Sequence, residues 1–352
     1  MKDNQLHLKH ERLTQEIYDD GNMLPSRYAL ILTNLCNLHC DFCFQAKKHH
    51  PNSMTTQEWL KTIDQFPEYA RVTMTGGEPL LFNGFKEVFH AVASRFDCNI
   101  ITNGLLLTKE IIDTLLSYEK FQTLSISIDT VKNTNRGVKP DEWEHVEDMM
   151  RYFVTKRDAL KSSCKLDVKT TVLDENSADL LTIHRYCLED LGADFHSYQL
   201  LKGSPLQHSD VMSEFDDIFR PYRAHEYQHF DLISEQFSAV RSYNIKNDAI
   251  GFTHPKVTSL TQEDDTNYNY INQALHDPKL FETCKYPWSS VHINYDGHLF
   301  PCLSVSMGNV KTTKLESIIF SDTFNNFKDQ IKAHGTVAAC NRCGWLKPKE
   351  ST

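Results

Sequence analysis

Between residues 28 and 202, six short runs rich in apolar and β-branched residues alternate with segments of helical periodicity, and no other feature limits the possible folds of the chain as strongly. The runs are 28–33, 71–75, 99–102, 123–128, 166–172 and 195–201. Strands alternating with helices predict a parallel sheet covered by helices and joined through right-handed crossovers. The helices are legible as well. Thr55 and Glu58 are spaced as a capping box ahead of Trp59 and Leu60, Phe85, Val88, Phe89, Val92 and Phe96 recur at helical spacing, and Leu180, Ile183, Cys187 and Leu191 form a similar stripe. The expected fold class is α/β, a partial (βα)6 barrel two units short of the closed TIM-like form, with ligands at the C-terminal strand ends. Residues 1–27 read as an N-terminal extension, 28–202 as the barrel, 203–283 as a helical and irregular bridge, and 284–352 as a small C-terminal unit.

Ten cysteines in a chain whose charged N-terminus shows no apolar export signal read as metal ligands or core residues of a reducing compartment, here the cytoplasm. No run is long enough to span a membrane. The net charge of −10 disfavours a nucleic-acid substrate, because such affinity rests on Lys and Arg releasing counterions.

Three of the thiols, Cys36, Cys40 and Cys43, crowd into eight residues directly after the first strand. Structural zinc wants four closed ligands, usually in two separated pairs, and the local count stops at three. Three thiolates suffice for three irons of a [4Fe-4S] cube, which leaves the fourth iron open to a small molecule. A zinc or core-cysteine role is the alternative.

The C-x3-C-x2-C spacing after the first barrel strand, with Phe42 before the last cysteine, resembles the radical S-adenosylmethionine superfamily. The resemblance implies that Cys36, Cys40 and Cys43 hold a [4Fe-4S] cluster whose open iron binds S-adenosylmethionine, and that an electron from the cluster cleaves the cofactor to a 5′-deoxyadenosyl radical. Phe42 would then lie beside the adenine. Gly76-Gly77-Glu78-Pro79 ends the second strand, where two glycines allow close backbone approach. It resembles the family's GGEP motif, which implies contact with the methionine amino group. Ser127 and Asp129 share one face at the end of the fourth strand, because side chains alternate along a strand. By the same resemblance they hold the ribose hydroxyls, with Asn103 at the end of the third strand a further candidate. Arg136 is placed to meet the methionine carboxylate or to be a solvated loop residue.

Thiols return in Cys284, Cys302, Cys340 and Cys343. Twelve residues separate Cys284 from Gly297 and four separate Gly297 from Cys302, around a stretch that alternates like a hairpin about Asp296-Gly297. This resembles the opening of the auxiliary-cluster domains called SPASM in the long form and Twitch in the short one. Four thiols imply one closed auxiliary [4Fe-4S] cluster, a layout similar to that of the aminocyclitol dehydrogenase of butirosin synthesis, with a four-cysteine zinc ribbon as the alternative. Cys98, Cys164 and Cys187 remain and read as small buried hydrophobes.

A cube closed by four thiolates has no vacancy for substrate, so its expected task is electron transfer. Loss of a hydrogen atom and then of an electron and a proton is a two-electron oxidation. The expected activity is therefore a radical oxidoreductase acting on a small hydroxylated metabolite such as a sugar or cyclitol, fed by an external electron donor such as flavodoxin or ferredoxin. The residues ahead of the first strand are too few for a leader-binding winged module, which favours a small molecule over a peptide. The alternative is a maturase that oxidises, crosslinks or epimerises a ribosomally made peptide. From another class, a non-catalytic iron–sulfur carrier or zinc module fits the same cysteines. Lys169, His196, Gln199, Lys202 and His292 are candidates to contact substrate or take the departing proton, or else ordinary solvated or core-satisfied groups.

Overall fold

The computed structural model describes residues 4–45, 52–256, 260 and 272–349. Helix α1 (Asn4–Asp20) precedes β1 (Arg27–Ile31), and five βα units follow: α2 (Thr56–Ile63), β2 (Arg71–Thr75), α3 (Phe85–Ala93), β3 (Asp97–Thr102), α4 (Lys109–Leu116), β4 (Phe121–Ser127), α5 (Pro140–Ala159), β5 (Lys165–Val172), α6 (Leu180–Arg185) and β6 (Phe195–Leu200). All six expected strands are present. The Thr55 capping box forms, with Glu58 N–H on Thr55 Oγ1 at 3.3 Å and Thr55 N–H on Glu58 Oε2 at 2.7 Å. Both apolar stripes are buried.

Strand parity explains the layering. Tyr28, Leu30, Val72, Met74, Cys98, Ile100, Leu124, Ile126, Leu166 and Val168 point outward and are buried beneath the helices. The alternate residues point into the lumen and are largely polar. There Thr73 Oγ1 donates to Asn99 Oδ1 at 2.9 Å, and the two oxygens of Asp167 accept from Ser125 and Ser197 at 2.8 and 3.0 Å.

Two further strands extend the sheet. The bridge contains α7 (Phe230–Asn247) and β7 (Gly251–His254), and β7 pairs parallel with β6, so the sheet continues past residue 202. At the other edge α8 (Tyr286–Ser289) leads into β8 (Ser290–Ile293), which pairs parallel with β1. The parallel part of the sheet thus has eight strands, the six of the expected partial barrel and one more at each edge, and β7 and β8 do not pair with each other among the described residues. Beyond β8 come β9 (His298–Phe300), β10 (Gly308–Asn309), α9 (Leu315–Ile319) and α10 (Asp322–His334). The expected hairpin is β8–β9, antiparallel, and its turn at Gly297 has φ +90°, which favours glycine. The C-terminal unit therefore continues the barrel's own sheet.

Candidate active site

The cysteine loop leaves β1 and is held from below by the end of β2. Gly77 N–H donates to Thr33 O at 2.7 Å and Glu78 N–H to Leu35 O at 2.7 Å. A Cβ on Gly77 would lie 2.2 Å from Leu35 O, so the space these glycines leave is taken by the loop's own backbone. Glu78 is fully buried and turned away from the cavity. Its carboxylate accepts from Thr102 Oγ1 at 2.7 Å, Asn103 N–H at 2.9 Å and Leu80 N–H at 3.2 Å, while burial raises its pKa. Asn103 in turn donates from Nδ2 to Asn37 Oδ1 at 2.8 Å, so β3 also braces the cysteine loop. The Gly-Gly-Glu-Pro motif is thus a buttress for the loop, with Gly76 and Gly77 at the cavity wall and Glu78 and Pro79 behind it.

Arg136 sits over the loop. Its Nη1 approaches Cys40 Sγ at 3.8 Å, its guanidinium carbon is 5.3 Å from the Phe42 ring centroid, and Nε lies 2.6 Å from Asp129 Oδ2. Burial works against this charge, but Asp129, Cys40 and Cys43 outweigh it and hold the pKa up. Asp129 is fully buried and also accepts Thr171 N–H at 2.6 Å. It does not reach the cavity with Ser127, because the chain turns after Ser127 and directs Asp129 to Arg136. Asn133 holds that turn, donating to Ser127 O at 3.0 Å and accepting Asp129 N–H at 3.0 Å.

Cys36, Cys40, Cys43, Phe42, Gly76, Gly77, Asn103, Ser127 and Arg136 line one cavity of about 2590 Å³ that continues through the polar lumen. Lys169, Gln199, Lys202 and His292 line it too. His196 does not, since it is spent in a buried network with Thr170 and His184 behind the barrel wall. Sequence reasoning missed Asn37, Thr102 and Asn133, which position the site without marking it, and the lumen-facing Arg27 and Arg71, for which strand parity was the available signal.

The donor sets fit iron–sulfur cubes. None of the ten cysteines is in a disulfide. Cys36 Sγ accepts Leu38 N–H at 3.4 Å, the kind of sulfur hydrogen bond that tunes a cluster. Cys302, Cys340 and Cys343 are buried beside Cys284, and the four thiols are mutually close. Burial first, and then its neighbours, push Cys284 up to about 12 and Cys302 and Cys340 well above the usual thiol range. Among the described residues no three His, Cys, Asp or Glu side chains converge as a single metal ion requires. A cube spreads its thiolates over separate irons and needs no such convergence. Cys98, Cys164 and Cys187 are buried away from both groups, each with its pKa raised by burial.

Lys202, just beyond β6, links the two cysteine groups. Its ammonium lies 3.8 Å from the Phe44 ring centroid and donates to Gln207 O at 3.3 Å. Burial draws its pKa down to about 7, while Cys343 and Cys43 pull the other way.

Residues 30–164 match the radical SAM superfamily model, and residues 284–344 match an iron–sulfur cluster-binding domain, SPASM. The chain thus carries a radical S-adenosylmethionine domain followed by a C-terminal SPASM domain. These domains bring a [4Fe-4S] cluster that binds S-adenosylmethionine and an auxiliary [4Fe-4S] cluster. The chain is 29% identical over 182 residues to the sporulation killing factor maturation protein SkfB of Bacillus subtilis, a match covering 50% of this chain and 43% of that one. It is 28% identical over 162 residues to an S-adenosylmethionine-dependent nucleotide dehydratase of Selenomonas ruminantium, covering 44% and 59%. Less than two thirds of either relative is spanned. Streptococcus suis SuiB bound to S-adenosylmethionine has a similar fold, with a TM-score of 0.63, 17% identity, and coverage of 91% of this chain and 72% of that one. SuiB is also known bound to its precursor peptide SuiA. Among the described residues no helix is long and apolar enough to cross a membrane.

Proposed function

We propose that the protein is a radical oxidoreductase that dehydrogenates a small hydroxylated metabolite in the barrel lumen, with the auxiliary cluster as electron acceptor. The lumen wall carries this reading. Thr73, Asn99, Ser125, Asp167, Lys169 and Ser197 line it with hydroxyls, an amide and a charge pair, with Lys169 Nζ 2.7 Å from Asp167 Oδ2. Such a wall recognises hydroxyl groups by exchanging hydrogen bonds and offers little to an apolar chain.

When bound, the first cluster and S-adenosylmethionine supply one-electron cleavage and a hydrogen-abstracting radical. Cys36, Cys40 and Cys43 would hold the cluster. Phe42, Gly76, Gly77, Asn103, Ser127 and Arg136 are the groups positioned along the cavity wall to hold the cofactor, with Asp129 and Glu78 orienting them from behind. The chain's other tasks are to orient substrate and exclude water. Cys284, Cys302, Cys340 and Cys343 would hold the second cluster, and Lys202 stands between the two thiol groups. Ten free thiols suit a reducing cytoplasm, where a flavodoxin or ferredoxin can supply electrons.

Peptide maturation is the second reading, favoured by the similarity to SkfB and by cavity size. Small-molecule pockets run to about 1,000 Å³, and this cavity exceeds that well beyond one small substrate. Anaerobic turnover with deuterated sugars, cyclitols and candidate precursor peptides separates the two. Deuterium in 5′-deoxyadenosine from a small polyol supports the first reading, and deuterium from a peptide alone overturns it.

A further inference from the structure

The floor of the cavity, at the strand ends opposite the thiol loop, holds two positive charges that nothing described so far uses. Arg27 opens β1 and Arg71 opens β2, and the two are partners in the parallel register. They share inward parity with Ala29 and Thr73, and all four residues line the cavity. Arg27 donates one N–H to Ser290 Oγ at 3.0 Å and lies 5.3 Å from the Trp345 ring centroid. The Arg71 guanidinium makes no hydrogen bond or ion pair among the described residues, and its Nε is buried without a partner. Asp97, which faces Arg71 in the register of β2 and β3, pairs with Lys9 at 3.6 Å instead.

This is an expensive arrangement. Both side chains keep some accessible surface, but it lines the cavity and protein encloses them. Burial draws the Arg27 pKa down to about 9, with repulsion from Arg71 adding to it, and draws Arg71 down to about 10, with Tyr286 opposing in both cases. Two enclosed guanidiniums without a carboxylate are unfavourable unless an anion compensates them. Guanidinium is also the side chain best matched to the oxygens of a carboxylate or phosphate.

We propose that Arg27 and Arg71 form an anion-binding site at the cavity floor that takes a carboxylate or phosphate group of the substrate. The site fixes the substrate's orientation and reach. Ile31, the last residue of β1, stands four residues above Arg27, or about 13 Å at the rise of a strand, and the thiol loop begins beyond it. A molecule anchored at the floor and reaching toward the thiol loop must therefore be elongated along the barrel axis. Trp345 flanks the anchor on the Arg27 side.

The assignment rests on the proposed function only in taking this cavity as the substrate chamber, and its test needs no turnover. The anaerobically iron-loaded full chain is titrated by calorimetry at low ionic strength with pyrophosphate and, separately, with glutarate. Saturable one-to-one binding of at least one probe is expected, and the stronger one names the headgroup. Arg71→Gln and Arg27→Gln should each weaken it about tenfold or more, with Arg71→Lys intermediate. Arg71→Gln should also melt no lower than wild type without anion, because it removes a repelling charge. Absence of saturable binding by both probes, equal affinity in Arg71→Gln, or a lower melting temperature of that variant overturns the site. Anion binding that persists while every polyol fails to transfer label would sink the proposed substrate class and leave the site standing.

Discussion

Asp129 Oδ2 lies 2.6 Å from Arg136 Nε, and the same guanidinium reaches Cys40 Sγ at 3.8 Å. A buried carboxylate thus holds a cation that overhangs the cysteine loop. Asp129→Asn keeps an oxygen for Thr171 N–H but leaves Arg136 uncompensated. Breaking a buried pair from one side costs about 3 kcal/mol or more, and that loss is expected in urea unfolding of the variant. Unfolding unchanged within about 0.5 kcal/mol would mean that Asp129 is solvated in the native protein and available to a ligand.

The two thiol groups should separate by iron content. Wild-type protein reconstituted anaerobically is expected to hold about eight irons per chain, and Cys302→Ala about four, with cleavage of S-adenosylmethionine retained and product turnover lost. Cys40→Ala should keep the auxiliary cluster and lose cleavage altogether. Full cleavage in Cys40→Ala, or undiminished turnover in Cys302→Ala, would reverse these roles.

His184 makes stability depend on pH. It is buried between His196 Nδ1 at 3.0 Å and Asn244 Oδ1 at 2.6 Å, and burial draws its pKa down to about 4 despite the Asn244 hydrogen bond. Unfolded, it takes a proton near pH 6.5. Between those values the unfolded chain binds a proton that the folded one refuses, so stability falls as pH falls below 6.5, by about 1 kcal/mol per unit for this group. His196, His276 and His292, also lowered by burial, add in the same direction. Urea unfolding at pH 7, 6 and 5 should show a steeper loss for wild type than for His184→Gln. Equal slopes would mean that His184 is charged in the fold.

The barrel was legible because its outward positions obey one rule: Val72, Met74, Leu124 and Val168 alternate with polar residues, and the helices between them carry apolar stripes at helical spacing. β7 is not legible in the sequence because Gly251–His254 is four residues long and lies in a polar region, so its pairing with β6 is a tertiary outcome with little local signature. β8 is legible only as half of a hairpin, since nothing in Ser290–Ile293 announces its second partner, β1. At the site, the cysteine spacing survives any rearrangement of the fold and could be read directly. Asp129 could not, because strand alternation places it beside Ser127 only while the strand continues, and the turn secured by Asn133 ends it at Ser127.

Gly77 tests the buttress itself. Its N–H bonds Thr33 O, and a Cβ there would sit 2.2 Å from Leu35 O, 2.6 Å from Leu35 C and 2.9 Å from Asn34 O. Those contacts are backbone, so they cannot be relieved by a side-chain rotation. In Gly77→Ala the loop segment just before Cys36 must move, or β2 must, and either breaks the hydrogen bonds that set the spacing of the three thiols. The auxiliary thiols lie on other elements and should be untouched. Gly77→Ala is therefore expected to lose the first cluster selectively, retaining about four irons per chain and no cleavage of S-adenosylmethionine, with far-ultraviolet circular dichroism near wild type. Eight irons with normal cleavage in this variant would show that the loop gives way at no cost, and that a glycine at 77 is not needed to hold it.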